Sequence, residues 1–261
     1  MKKILMIGPG RDVRGGISTV VNSYYELGIE KDTEIKYIPT MEDGSQIKKL
    51  IVAVKAYMEF GGCVKKYDIV HVHMAAQASF VRKSLFVQKA KKAGVKVIIH
   101  SHAADFDKYF FEESDDKNRK KIKETFALAD KVIVLSEEWA DFFGKNVCDP
   151  AKIKIIYNGV ILPQKNKTSY DDHNILMLGR LGERKGTYDL LKAIPMVLRE
   201  VPDAMFYLGG DGDIEGCKAI AANEGIQDHI KFLGWIKGTE KKNLLDKCSV
   251  FTLPSYYEGM P

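Results

Sequence analysis

Short apolar runs alternate with longer amphipathic stretches along the whole chain. The runs fall at 2–8, 34–39, 68–73, 96–101, 131–135 and 153–157, then at 174–179, 204–209, 230–234 and 249–253. Several, such as "KVIVL", are apolar at successive positions, the pattern of strands buried on both faces of a parallel sheet. Between them, "ISTVVNSYYELG", "QIKKLIVAVKAYMEF" and "SFVRKSLFVQKAKKAG" carry helical spacing. Strand–helix–strand alternation predicts parallel sheets with helices on both faces. Ser136 and Thr239 are expected to cap the helices that follow them. In "SVFTLPSYYEGMP" the run Val250–Leu253 reads as a final buried strand that delivers a loop containing Glu258.

One strand is echoed. "ILMIG" at 4–8 and "ILMLG" at 175–179 are nearly identical, and each runs into a glycine loop. The polar stretch "LPQKNKTSYDDH" precedes the second and has no apolar rhythm, so it reads as a linker. The expected architecture is α/β: two Rossmann-like, doubly wound parallel-sheet domains at 1–163 and 173–261, joined by a linker at 164–172. In such folds ligands lie beyond the carboxyl ends of the strands, so residues just after strands are the ones to examine.

Composition excludes some classes. With 45% hydrophobic and 29% charged residues the chain is folded, not disordered. Its longest apolar runs are too short to cross a bilayer, and "MKKILMIGPGR" lacks a cleavage site of small residues before Arg11 ends the run. Cys63, Cys148, Cys217 and Cys248 form no CxxC and read as reduced thiols of a cytoplasmic protein. Charge is uneven: residues 1–170 hold 29 Lys+Arg against 21 Asp+Glu, whereas 171–261 hold 11 against 14. A basic first half suits anionic lipid or nucleic acid. On charge alone, a solvated lysine-rich surface is the simpler expectation.

Three loops carry candidate chemistry. "GPGRDVRGGIS" sets Gly15 and Gly16 before a helix, where bare N–H groups attract an anion. Its glycine spacing is not the dinucleotide fingerprint, and the second strand ends "YIPT" without a ribose-binding acid. "GRLGERKGTYDLL" is not a P-loop, but it places Arg180 and Lys185 on one loop beside a helix N-terminus, which suits a diphosphate. "HVH" (His71, His73) and "HSHAAD" (His100, His102, Asp105) offer two imidazoles per strand face, the pattern of a metal site. The simpler expectation is that one His of each pair is packed and the other sits at the strand mouth. "DFD" (105–107) and "DGD" (211–213) are weak hints of a divalent metal.

Taken together these loops resemble retaining glycosyltransferases of the GT-B fold, in the nucleotide-sugar-dependent family 4. The segments are the Gly15–Gly16 loop, "DIVHVH" (68–73), "HSHAADF" (100–106), "KVIVLSE" (131–137) and "IYNGV" (156–160). "GRLGERKG" (179–186), "LGGDG" (208–212), "FLGW" (232–235) and "PSYYEGMP" (254–261) continue it, so the likeness runs over essentially the whole chain. It implies a two-domain GT-B fold whose second domain is incomplete here: "EGMP" opens a two-glutamate motif whose second member would fall past Pro261. A truncated chain is therefore expected.

The resemblance also implies a reaction: transfer of a sugar from a UDP- or GDP-sugar to an acceptor hydroxyl, with retention. Arg180 and Lys185 would neutralise the leaving diphosphate, so no metal and no other cofactor is expected. Gly15 and Gly16 would approach the phosphate, His102 would face the sugar, and Glu258 would orient it, with Gly259 and Met260 nearby. Asp211 would lie by the nucleotide. The acceptor would be a saccharide or a lipid-linked glycan, with the lysine-rich helices at 48–66 and 82–96 compatible with peripheral association at the inner face of an anionic membrane. No nucleic acid is expected. A nucleotide-binding fragment without turnover and a metallohydrolase built on the HxH pairs are the alternative readings.

Overall fold

The computed structural model describes residues 1–160 and 172–259. They form two compact units. The boundary expected at 163 and all of the linker expected at 164–172 except Asp172 lie outside the described residues, as does Met260.

The first unit runs β1 (Lys2–Gly8), α1 (Gly16–Glu26), β2 (Thr33–Pro39), α2 (Gln46–Cys63), β3 (Ile69–Met74), α3 (Gln77–Lys92) and β4 (Lys96–Ser101). It continues with α4 (Phe106–Phe111), α5 (Asp116–Ala127), β5 (Lys131–Val134), α6 (Glu137–Asn146) and β6 (Ile153–Ile155). Its six strands are all parallel in the order β2-β1-β3-β4-β5-β6. Leu5, Ile7, Val70, Val72, Val97 and Ile99 are buried in one core with Phe60, Phe86 and Phe126 from the covering helices. Continuous apolar strands belong in such a place because helices remove both faces from water. The chain leaves β1 for β2 on one side and returns to β3 on the other, so the order reverses at β1/β3. A crevice opens at such a point beyond the strand ends.

The second unit runs β7 (Asn174–Leu178), α7 (Thr187–Glu200), β8 (Met205–Gly209), α8 (Ile214–Asn223), β9 (Ile230–Gly234), α9 (Gly238–Lys247) and β10 (Val250–Phe251). Its parallel order is β10-β7-β8-β9. The reversal falls between β7 and β10, so the loops leaving those two strands emerge side by side although far apart in sequence.

All ten apolar runs are strands. Two local expectations need correction. The last run is not a buried strand: only Val250 and Phe251 pair, at the sheet edge on β7, and both are about half exposed. An apolar run cannot distinguish a central strand from an edge one, because that depends on which neighbours cover it. Ser136 caps α6 as expected, accepting from Trp139 N at 3.2 Å. Thr239 caps nothing; α9 begins one residue earlier, so Thr239 lies inside its first turn. Among the described residues no helix is long and apolar enough to cross a membrane.

Candidate active site

In the first unit the loop after β1 is pinned to α1. Ser18 Oγ donates to Gly10 O (2.9 Å), Asn22 Nδ2 to Arg11 O (3.0 Å), and Arg11 Nε to Asn22 Oδ1 (2.8 Å). Gly15 precedes α1 at φ 156°, a conformation only glycine adopts without strain. A Cβ on Gly15 or Gly16 would meet nothing within 4 Å, so the space over both is open. No side chain caps α1. Its first N–H groups therefore face an unfilled space, the arrangement that receives an anion at a helix start.

Beside this loop, strands β3 and β4 bring four imidazoles together. His73 pairs in register with His100, and His71 stacks on His73 with centroids 4.4 Å apart. His102 follows β4, its N–H donating to Met74 O at 2.8 Å, and its Nε2 lies 2.9 Å from His73 Nδ1. His73 and His100 are fully packed, while His71 and His102 keep part of their surface, one of each pair. Burial holds His71 down to about 4 and His102 to about 3, with His73 and His100 also well below the ordinary value. The neighbouring imidazoles add to the effect for His73, His100 and His102. The cluster is thus neutral at neutral pH. The Nε2 of His102 is engaged, which leaves its Nδ1 for a ligand.

Ligand nitrogens of His71, His73 and His100 lie within 4.8 Å of one another. No carboxylate joins that group, and neither "DFD" nor "DGD" contributes to it. A cation also stands close by. Lys83, inside α3 and 1% exposed, donates Nζ to Ser79 Oγ at 3.0 Å, and its charge depresses both His73 and His102. Burial, then the charge of Arg82, brings Lys83 itself down to about 7. The charge of Lys83 would oppose a cation placed among these imidazoles. The helical pattern of "SFVRKSLF" gave no sign of Lys83, because a lysine among charged neighbours reads as surface.

In the second unit the loops after β7 and β8 are stitched by Leu181 N to Asp211 O (2.7 Å) and Asp213 N to Leu181 O (3.0 Å). Asp211 therefore meets the 179–182 loop through its backbone, and its side chain is half-buried. The neighbouring Asp213 is a helix cap, accepting from Gly216 N (3.0 Å) and Tyr188 Oη (2.6 Å). Arg180 is exposed on the 179–182 loop.

Lys185 is joined instead to the loop after β10. Its Nζ donates to Glu258 Oε1, and Arg184 Nη1 lies 3.8 Å from Glu258 Oε2. Arg184 Nη1 also donates to Tyr257 O at 3.2 Å, Tyr256 N to Arg184 O at 3.0 Å, and Tyr256 Oη to Asp189 Oδ2 at 2.9 Å. The two loops touch at Gly186, where a Cβ would stand 1.9 Å from Pro254 O. Burial pushes the Glu258 carboxyl up, but its bond to Lys185 and the adjacent charges outweigh this and hold it below the usual range. Gly259 is buried behind it. Arg184 and the Tyr256–Asp189 contact carried no signal in the sequence, because their partners are set by the β7/β10 reversal and not by local spacing.

Two parallel, Rossmann-like units, each with its loops gathered beyond the carboxyl ends, define the GT-B class. Solved GT-B structures share it. Anabaena HepE in complex with UDP and glucose has a TM-score of 0.67 at 14% identity, covering 98% of this chain and 74% of that one. S. aureus TarM, a mutant in complex with fondaparinux, alpha-GlcNAc-glycerol and UDP, has a TM-score of 0.69 at 12% identity, covering 100% and 82%.

The chain belongs to glycosyltransferase family 4. That family's model matches residues 26–162, and the model of glycosyl transferases group 1 matches 161–261. Among curated relatives, an Escherichia coli UDP-Gal:alpha-D-GlcNAc-diphosphoundecaprenol alpha-1,3-galactosyltransferase is 29% identical over 220 residues, 76% of this chain and 54% of that protein. The amylovoran biosynthesis glycosyltransferase AmsK of Erwinia amylovora is 25% identical over 206 residues, 74% and 49%. The chain thus spans about half the length of these relatives.

Proposed function

We propose that the protein moves a sugar from a UDP- or GDP-sugar to an acceptor hydroxyl, with retention, in the synthesis of a cell-surface polysaccharide or glycolipid. One observation carries the reading: Arg184, Lys185 and Glu258 are gathered at the β7/β10 reversal, so cations and a carboxylate share one site beyond the strand ends. Family membership supports the reaction class. The E. coli relative named for transfer from UDP-Gal to a diphosphoundecaprenol-linked sugar, and AmsK, named for amylovoran biosynthesis, support the setting.

Departure of the nucleoside diphosphate builds negative charge on its phosphate. Lys185 and Arg180 neutralise that charge, and removing such a group costs roughly 10²–10³-fold in rate, by analogy with a lost oxyanion donor. Glu258, ionised at neutral pH, accepts hydroxyls of the donor sugar, with the backbone of Gly259 and Met260 beside it. Asp211 lies on the nucleotide side. In the first unit, Gly15 and Gly16 offer N–H groups to phosphate, and neutral His102 offers Nδ1 to a sugar hydroxyl. No side chain here acts as a covalent nucleophile. The leaving phosphate helps take the acceptor's proton, and neither metal nor other cofactor is required. The acceptor is a saccharide or a lipid-linked glycan, met at the cytoplasmic face of an anionic membrane.

Isothermal titration with UDP and GDP in the presence of EDTA, paired with transfer of radiolabelled sugar, tests this. Nucleotide binding that disappears with EDTA overturns the metal-free account. Arg180→Ala and Lys185→Ala variants that fold and keep full diphosphate affinity overturn the site. Nucleotide binding without sugar transfer leaves the non-catalytic reading in its place.

A further inference from the structure

His73 is a fully buried imidazole whose ring touches the one imidazole assigned to the sugar. It lies in β3, one residue before the strand ends. Its ring is held by the register with His100 on β4, by stacking on His71, and by stacking on His102 with centroids 5.1 Å apart. His102 is fixed through its own backbone N–H on Met74 O and is only partly covered at the strand mouth. The two rings meet edge to edge at His73 Nδ1 and His102 Nε2, 2.9 Å apart. One of these nitrogens donates and the other accepts.

Burial decides the direction. Burial itself, the neighbouring imidazoles and the charge of Lys83 oppose a second proton on either ring, so both are neutral. A neutral imidazole has one N–H and one bare nitrogen, and the bond made by one nitrogen sets the state of the other. If His102 donated through Nε2, His73 would accept at Nδ1 and carry its own proton on Nε2. That Nε2 is buried and has no hydrogen-bond partner, so the N–H would be orphaned in the core. If His73 donates through Nδ1, its Nε2 is left as a bare acceptor. As with backbone groups, an orphaned N–H is rarer inside a protein than an unused acceptor. The same choice fixes what His102 turns outward. With its Nε2 accepting, its proton sits on Nδ1.

We propose that His73 is a positioning residue: by donating Nδ1–H to His102 Nε2 it fixes His102 as an Nδ1–H donor at the mouth of β4. The ligand group that His102 meets is then an oxygen with a free lone pair, a hydroxyl or a carboxylate. An ammonium has no lone pair to offer and is refused there. This deepens the sugar-facing reading of His102 and rests on it for the ligand. The direction of the bond is a property of the chain alone, and its test contains no sugar, so the two fail separately.

The full chain, carrying isotope-labelled histidine, is examined at neutral pH by long-range proton–nitrogen correlation, in which a protonated ring nitrogen and a bare one have well-separated shifts. Signals of His102 and His73 are assigned by their loss in His102→Gln and His73→Asn. His102 is expected to be protonated at Nδ1 and bare at Nε2, and His73 to be protonated at Nδ1. His73→Leu removes the donor, so His102 is expected to exchange between its two forms, and its two nitrogen signals move toward each other. In His73→Asn the side-chain amide stands in for Nδ1–H, and the wild-type His102 pattern is expected to return. A wild-type His102 protonated at Nε2 overturns the proposal, as does a His73→Leu spectrum in which His102 keeps the wild-type pattern. Should the leucine variant not fold, the wild-type spectrum still decides the direction of the bond, and a His73→Asn protein with His102 protonated at Nε2 counts against it.

Discussion

Lys185 and Glu258 are hydrogen-bonded across 73 residues of sequence. The link exists because β10 returns to pair with β7, which sets the loops after both strands against each other. It means that the cation assigned to the diphosphate is held by the carboxylate assigned to the sugar. Glu258→Gln therefore frees Lys185 and removes a negative charge from the site. UDP affinity is expected to rise a few-fold while sugar transfer falls, whereas Lys185→Ala weakens UDP at least tenfold, about 1.4 kcal/mol. Calorimetric titration of both variants checks the opposed signs.

Gly186 makes this juxtaposition sterically feasible. It is left-handed, at φ 66°, and a methyl group there would run into Pro254 O. Gly186→Ala is expected to destabilise the second unit by at least about 2 kcal/mol and to part the Glu258 loop from Lys185. Urea unfolding followed by Trp235 fluorescence in a Trp139→Phe background gives the first quantity, and loss of UDP affinity the second.

Lys83 is a buried ammonium that donates to the hydroxyl of Ser79. Its proton is lost near 7 in the folded state and near the ordinary lysine value, about 10.4, in the unfolded chain. Between those values the unfolded state binds more protons, so stability rises with pH. Lys83→Met removes the penalty. It is expected to raise stability by about 1–3 kcal/mol at neutral pH, with the advantage shrinking as pH climbs toward the ordinary lysine value. Denaturation midpoints of the two proteins across that range decide it.

The imidazole cluster predicts acid sensitivity of the first unit. His71 and His102 titrate at about 4 and about 3 when folded, but near 6.5 when unfolded. As pH falls below 6.5 the unfolded chain takes up protons that the folded one refuses, so stability declines until the folded values are passed. Urea midpoints followed by Trp139 fluorescence in a Trp235→Phe background are expected to drop over this window. A His71→Asn, His102→Asn variant flattens the slope.

The strands were legible because each is a short apolar run between glycine loops, and a sheet covered on both faces imposes that pattern directly. Chain order along each sheet was not. The Val250–Leu253 run looked like any other, yet only two of its residues pair and they lie half exposed at the edge. Arg180, Lys185 and Glu258 stood out in sequence because they follow strands. Arg184 and the Tyr256–Asp189 contact did not, since their partners are distant in the chain.

By itself, then, the sequence determined the alternation of strand and helix, the two-unit α/β class, and the loops in which charge and glycine collect. Those are local properties: period, turn chemistry and propensity act over a few residues. Only the tertiary structure decided that Lys185 meets Glu258, that four imidazoles stay neutral around a buried Lys83, and that His73 Nδ1 meets His102 Nε2. Each of these depends on which strand pairs with which and on what covers a given face, and no short stretch of sequence carries that information.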